Sequence, residues 1–234
     1  MNEEATRRLF FALWPDSRVR RRLASSSKPL LDAAKSRPIA DSRLHVTLAF
    51  LGGIPEGQMD AVRAAGDAVS GQAFALRLDR WGWWRQSKIL MLFPSAPPPA
   101  LGELVAELRG ALGDEGLPVE RRQFRPHVTI ARKCLNVRFR GPVEAVNWPV
   151  QDFALVESEF HSAGARYNLL HQWPLESASS RGAPEAGAGG EPRGALPAGQ
   201  PEKKTRGHGP AGEFRDRPFR NDSLSFETVG GRGL

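Results

Sequence analysis

Strands and helices that recur in the same order at matched spacing predict a mixed fold of two similar halves, each a small sheet with a helix on one face. Three observations carry that prediction. The triplet His-x-Thr occurs twice, at His45-Val46-Thr47 and His127-Val128-Thr129, each time inside an apolar, β-branched run. A strand and then a helix precede each triplet, with Phe10 placed 35 residues before His45 and Leu90 placed 37 before His127. A Phe-Ala-Leu strand follows each, Phe74-Ala75-Leu76 starting 29 residues after His45 and Phe153-Ala154-Leu155 starting 26 after His127. With five His and five Thr in the chain, chance placement gives about 0.1 such triplets, so a pair of them is a signal.

In the first half, an apolar strand over residues 9–13 ends at Trp14-Pro15, and Asp16 caps a helix reaching about residue 34 with Val19, Leu23, Leu30 and Leu31 on its apolar side. Ser25 to Pro29 is expected to weaken the middle of that helix. A strand over 44–51 stops at Gly52-Gly53, a helix covers about 55–70, and a strand covers 74–78. The second half offers a strand over 89–93, a helix over about 97–112 with Leu101, Leu104, Val105 and Leu108 at helical spacing, and strands over 128–131 and 153–160.

Composition divides the chain. Residues 176–234 are about 31% Gly plus Pro, against about 14% in residues 1–175, and their apolar residues lack a period, so the segment is predicted to be a disordered tail on a single folded domain over 1–175. The formal charge is +6 for residues 1–175 and +1 for the rest. The folded part thus holds the basic clusters, Arg18, Arg20, Arg21 and Arg22 among them, as a domain handling a polyanion requires. One cysteine, Cys134, excludes an internal disulfide and a multi-thiolate metal site. The first apolar run is too short for a signal peptide core or a membrane span, so a cytoplasmic protein without membrane attachment is expected.

Alternate residues of a strand share a face, so His45 and Thr47 point one way while Val46 and Leu48 point the other, and His127 and Thr129 repeat the arrangement. A quasi-twofold pairing of the halves sets the two imidazoles on either side of one cleft. Two such groups suit a reaction that removes one proton and supplies another, because an ordinary pKa near 6.5 lets either form exist at neutral pH. Cleavage of a phosphodiester by water is such a reaction, and the two Thr hydroxyls can donate to its non-bridging oxygens. A cation completes the site, with Arg43, Arg125 and Arg132 as candidates; strand alternation favours Arg43 and disfavours Arg132. Zinc is the rival use of paired histidines, but Cys, Asp and Glu at ligand spacing are missing, and Asp41 reads as a turn residue. His161 and His171 read as strand or edge residues and His208 as part of the tail. Trp81, Trp83 and Trp84 read as packing under a sheet before they read as a base-stacking platform.

The two motifs, with Arg8-Leu9-Phe10-Phe11-Ala12 at the start, Leu48-Ala49-Phe50-Leu51-Gly52 after the first and Phe124-Arg125-Pro126 before the second, resemble the two-histidine (2H) phosphoesterase superfamily. The resemblance is strongest to its RNA 2′,3′-cyclic phosphodiesterases, also described as 2′-5′ RNA ligases, and includes a late strand with Tyr167 ending near Trp173-Pro174-Leu175. It implies an α+β fold of two pseudo-symmetric lobes, each an antiparallel-rich sheet with helices on one face, and an active cleft between them. It further implies hydrolysis of RNA 2′,3′-cyclic phosphate ends to 2′-phosphate ends without a metal or other cofactor. His45 is then the proton donor, His127 the proton acceptor, and Thr47, Thr129 and Arg132 bind substrate. The expected partner is an RNA or oligonucleotide with a cyclic phosphate end, handled by a monomer with no obligatory protein partner. Two alternatives stay open: 2′-5′ ligation of RNA at the same site, and a non-catalytic RNA- or nucleotide-binding module.

Overall fold

The structure, a computed structural model, describes residues 5–161 and 164–177. Three helices, α1 (Ser17–Asp32), α2 (Met59–Asp67) and α3 (Pro99–Asp114), accompany ten strands. The strands are β1 (Thr6–Leu13), β2 (Ala34–Pro38), β3 (Val46–Pro55), β4 (Phe74–Leu78), β5 (Arg80–Trp84), β6 (Ile89–Phe93), β7 (Val128–Val137), β8 (Val146–Val150), β9 (Asp152–His161) and β10 (Gly164–Pro174). Eight of them form one sheet in the order β10-β9-β1-β3-β7-β6-β5 with β2 also on β7, while β4 and β8 form a separate ribbon. Every named strand pair is antiparallel. The fold is α+β.

The expected division into two sheets, one per sequence half, is not what forms. On one side of the centre β1 and β3 pair with β9 and β10 from the end of the domain, and on the other β6 and β7 pair with β5 and β2 from its first half. The halves exchange strands. The ribbon obeys the same twofold logic, since β4 and β8 are equivalents that pair with each other, Leu76 facing Trp148. Phe74-Ala75-Leu76 therefore corresponds to β8, and Phe153-Ala154-Leu155, in β9, corresponds to β5. Similar tripeptides report strand propensity, whereas equivalence is decided by which backbone edges meet.

Where the two sides meet, β3 and β7 share one residue pair, Val46 with Val128. Beyond it they splay, and β2 takes over the edge of β7 that β3 leaves.

Most helix positions agree with the periodicity. Asp16 caps α1 through a 2.7 Å bond from the Val19 N–H to its Oδ1, and Leu101, Leu104, Val105 and Leu108 of α3 are buried. The expected weak point of α1 is instead continuous through Pro29. Ser26 and Ser27 are buried there, and their hydroxyls donate to the carbonyls of Glu144 (2.6 Å) and Leu23 (2.7 Å), so the polar groups are satisfied and the turn is pinned to the chain ahead of β8. Gly52-Gly53 does not stop β3 either. Gly52, at φ +79°, forms a bulge at which the register moves from Leu9 opposite Gly52 to Phe10 opposite Phe50. Strands β2, β5 and β8 escape the sequence patterns: β2 is largely exposed and lacks an apolar alternation, and Pro149 interrupts β8, where a two-stranded ribbon tolerates it.

One face of the sheet shares its core with all three helices, Leu9, Phe11, Leu13, Val46, Leu48, Val128, Ile130, Phe153 and Leu155 among its members. The opposite face carries a smaller cluster, Phe10, Ala12, Ala154 and Val156, flanked by Trp14 and Tyr167. That second face holds the site. The ordered chain runs past residue 175, since the Glu176 carbonyl accepts from Ala73 N–H at 2.7 Å and its carboxylate from Gln72 at 2.7 Å. The predicted tail lies, from residue 178 on, outside the described residues.

The C-terminal anchor is Trp173, stacked on Phe153 with ring centres 5.1 Å apart, tilted on Phe11 at 5.6 Å, and donating from Nε1 to Asp67 at 2.6 Å. Gly66 of α2 lies directly beneath it, and a Cβ there would land on the indole. Gly66→Ala is expected to destabilise the domain by about 1–3 kcal/mol through overpacking. A lowered midpoint in urea unfolding checks this; an unchanged midpoint would contradict the packing described.

Candidate active site

Both histidines stand one residue ahead of the strand that carries their motif, His45 after a short 3-10 turn over Asp41–Arg43 and His127 directly after Pro126. Their hydrogen bonding is the same. His45 Nδ1 lies 2.7 Å from the Arg43 carbonyl and His127 Nδ1 lies 2.8 Å from the Arg125 carbonyl, in each case two residues back. A carbonyl only accepts, so each Nδ1 carries the proton and donates, and each Nε2 is left as the working nitrogen.

Val46 faces Val128, so the two motifs flank the residue pair that joins β3 and β7, with His45 and Thr47 on either side of it in one chain segment and His127 and Thr129 on either side of it in the other. The two imidazoles act on each other electrostatically, the His127 charge helping to lower the His45 pKa. Both motifs lie on the face away from the main core, since Thr47 pairs with Ala12 of the smaller cluster.

Arg132 joins them through a bulge. Leu90 faces Ala131 and Met91 faces Thr129, so Ile130 is an extra residue; Ile130 and Ala131 both turn into the core, and Arg132 comes out on the face of Thr129. Alternation predicted the opposite face, and the bulge is why it misled. The same device occurs in β3, where Phe11 faces Ala49, Ala12 faces Thr47, and Leu48 is the extra residue. Phe50 is therefore the twofold counterpart of Arg132. Arg43, which alternation favoured, turns to the Ala165 carbonyl at 2.9 Å instead, and Arg125 supplies the carbonyl that orients His127.

His45 sits among three aromatic rings. Trp14 stacks on it at 5.5 Å and 22°, Phe10 is tilted against it at 5.0 Å, and Tyr167 meets it edge-on at 5.5 Å. Trp84 meets His127 at 4.8 Å and 65°. The tryptophan cluster thus divides by strand parity. Trp81 and Trp83 pack against the core and donate to the Gly141 and Cys134 carbonyls, and Trp84 turns to the site. Sequence reasoning passed over Phe10 and Trp14 as site residues and ranked packing first for Trp84; the signal available was that Phe10 and Trp14 share strand parity, opposite to buried Leu9, Phe11 and Leu13. Asp41 is a turn residue, its carbonyl accepting from Leu44 N–H. His171 packs on Trp173 at the sheet edge, 4.4 Å between ring centres. His161 lies at the end of β9, and His208 lies outside the described residues.

Burial pushes the His45 imidazole down to about 4, and the neighbouring His127 and Arg132 charges push it the same way against the bond to the Arg43 carbonyl. The His127 pKa is also lowered, by burial first and by Arg132 second. One guanidinium thus acts on both rings. Both shifts favour neutral imidazoles at neutral pH beside the positive charge of Arg132, an arrangement that suits an anion.

A family model described as the 2′-5′ RNA ligase superfamily matches residues 15–159. The chain belongs to the 2′-5′ RNA ligase superfamily. Its relatives in that superfamily include an RNA 2′,3′-cyclic phosphodiesterase of Escherichia coli K12, 31% identical over 170 residues that cover 72% of this chain and 96% of the relative. Another of that name, from Thermus thermophilus, is 29% identical over 184 residues, covering 74% and 93%. The E. coli LigT structure complexed with 3′-AMP superposes with a TM-score of 0.66 at 29% identity, covering 73% of this chain and 98% of that one.

In an NMR pH titration both His45 and His127 are expected to titrate below the ordinary histidine value of about 6.5, with His45 near 4. Arg132→Gln removes a cation that disfavours imidazolium, so both midpoints should rise in that variant. Midpoints that stay put would show that Arg132 does not face the rings.

Proposed function

We propose that this chain hydrolyses RNA 2′,3′-cyclic phosphate ends to 2′-phosphate ends by acid–base catalysis between His45 and His127. The observation that carries the reading is the matched Nδ1–carbonyl bond at the two histidines, which leaves Nε2 as the working nitrogen of both rings on adjoining strands. The E. coli and T. thermophilus relatives, named RNA 2′,3′-cyclic phosphodiesterases, support the substrate class.

In the reaction, the His127 Nε2 accepts a proton from water as its oxygen attacks phosphorus. The bond from phosphorus to the 3′ oxygen breaks, and His45 delivers the Nε2 proton to that oxygen. The products are a 2′-phosphomonoester and a free 3′ hydroxyl, and the two imidazoles have exchanged protonation states. Thr47 and Thr129 donate to the non-bridging oxygens, and Arg132 offsets their charge. The pKa of His45 in the resting site makes its proton substrate-dependent: the phosphate anion, by countering Arg132, raises the fraction of His45 that is charged. No cofactor takes part in these steps. The chain works as a monomer in the cytoplasm on this reading; no helix among the described residues is long and apolar enough to cross a membrane.

His45→Ala and His127→Ala are each expected to lower kcat on a cyclic-phosphate-ended oligonucleotide by about 10²- to 10⁴-fold, with EDTA present throughout. Chromatography of the product identifies the phosphate position. Undiminished rates in the variants, no hydrolysis by the parent protein, or joined RNA as the main product would each overturn the proposal.

A further inference from the structure

Beyond Phe10, on the same sheet face as His45, lies a group of side chains that the reaction does not use. Arg8 of β1 holds its guanidinium carbon 4.7 Å from the centre of the Phe50 ring and 5.4 Å from that of Phe160, on β3 and β9. Phe160 is 62% exposed and Phe50 36% exposed, a large apolar outlay for surface rings. Arg8 has no carboxylate within ion-pair distance among the described residues, whereas its neighbour Arg7, on the opposite face, is bound by Glu157 through two bonds of 2.8 and 2.9 Å.

The group is continuous with the active site. Phe10, which touches the His45 ring, is the cross-strand partner of Phe50, and Arg8 is two residues along β1 from Phe10, about 7 Å at strand rise. That is the scale of one nucleotide step. The twofold relation adds a second argument: Phe50 occupies in β3 the bulge position that Arg132 occupies in β7, and Arg8 lays a guanidinium over it, so each side of the cleft ends in a cation beyond its Thr.

We infer that Arg8, Phe50 and Phe160 form a subsite for the nucleotide next to the reacting end of the RNA. Its phosphate meets the Arg8 guanidinium, and its base stacks on the exposed Phe160 ring, which accepts any base because every base has a π-face. The net charge of +7 and an arginine without a counterion favour a polyanionic strand over an apolar peptide as occupant. The inference rests on the cyclic phosphodiesterase reading and makes an oligonucleotide, and not a mononucleotide, the preferred substrate. The order of strand and site is set by this surface.

The test compares adenosine 2′,3′-cyclic phosphate with a five-nucleotide oligoadenylate ending in the same group, for the parent protein, Arg8→Gln and Phe160→Ala. The parent should prefer the oligomer. Each variant should lose about 5-fold or more in kcat/KM on the oligomer, mainly through KM, while the mononucleotide rate stays within about twofold. For Arg8→Gln, the slope of log affinity against log salt should also shrink by about 0.7, the contribution of one single-strand phosphate. Binding of the matching oligomer with a 2′-phosphate end, followed by fluorescence anisotropy, gives a readout that needs no turnover. Equal losses on both substrates would assign the cluster a structural role and overturn the subsite. A parent that hydrolyses both substrates alike would also overturn it and leave the hydrolase reading standing. Hydrolysis of neither would remove the hydrolase reading, with anisotropy still deciding whether the three side chains hold an RNA strand; a peptide-binding surface would leave anisotropy unchanged in both variants.

Discussion

A single backbone pair, Val46 with Val128, joins the two sides of the sheet, and the site depends on that narrow junction. Were β3 and β7 paired along their length, the face that carries His45 and His127 would be a flat sheet surface with the imidazoles side by side over it. Because the strands part after one pair, the two motifs stand on diverging walls. The valines are buried in the main core, so the same pair that opens the site on one face closes the hydrophobic interior on the other.

Two different environments act on two identical motifs. His45 is enclosed by Phe10, Trp14 and Tyr167, which strip water from the ring, while His127 has Trp84 at its edge. Desolvation is the largest influence on both pKa values, and the positive charge of Arg132 adds to it at both. Neither influence favours a charged imidazole in the empty site. A bound anion opposes the electrostatic part and so favours imidazolium relative to the empty site.

Much of this was legible in the residues. The repeated triplet identified both histidines and both threonines, the N-cap at Asp16 and the periodicity of α3 placed two helices, and the apolar runs found β1, β4, β6 and β9 within a few residues. Arg132 was not legible from alternation, because the Leu48-Ala49 and Ile130-Ala131 pairs hide a bulge: two successive inward residues look like ordinary apolar content in a strand. Superfamily resemblance pointed to Arg132, and the bulge supplies the physical reason. The aromatic enclosure of His45 was also invisible, since Trp14 lies far along the chain from Tyr167 and their contact is created only by β1 pairing with β9 and β9 with β10.

Local chemistry determined on its own which face His45, Thr47, His127 and Thr129 occupy and how each imidazole is held, because side-chain parity along a strand and the reach of a backbone carbonyl two residues back are properties of a few consecutive residues. Only the tertiary structure decided which strands those residues share a sheet with. One side of the sheet joins β1 and β3 to β9 and β10 from the end of the domain, and the other joins β6 and β7 to β5 and β2 from earlier in the sequence. That choice rests on edge-to-edge hydrogen bonding between segments far apart in sequence, as in the pairing of Leu9 with Glu157, to which no local pattern is sensitive.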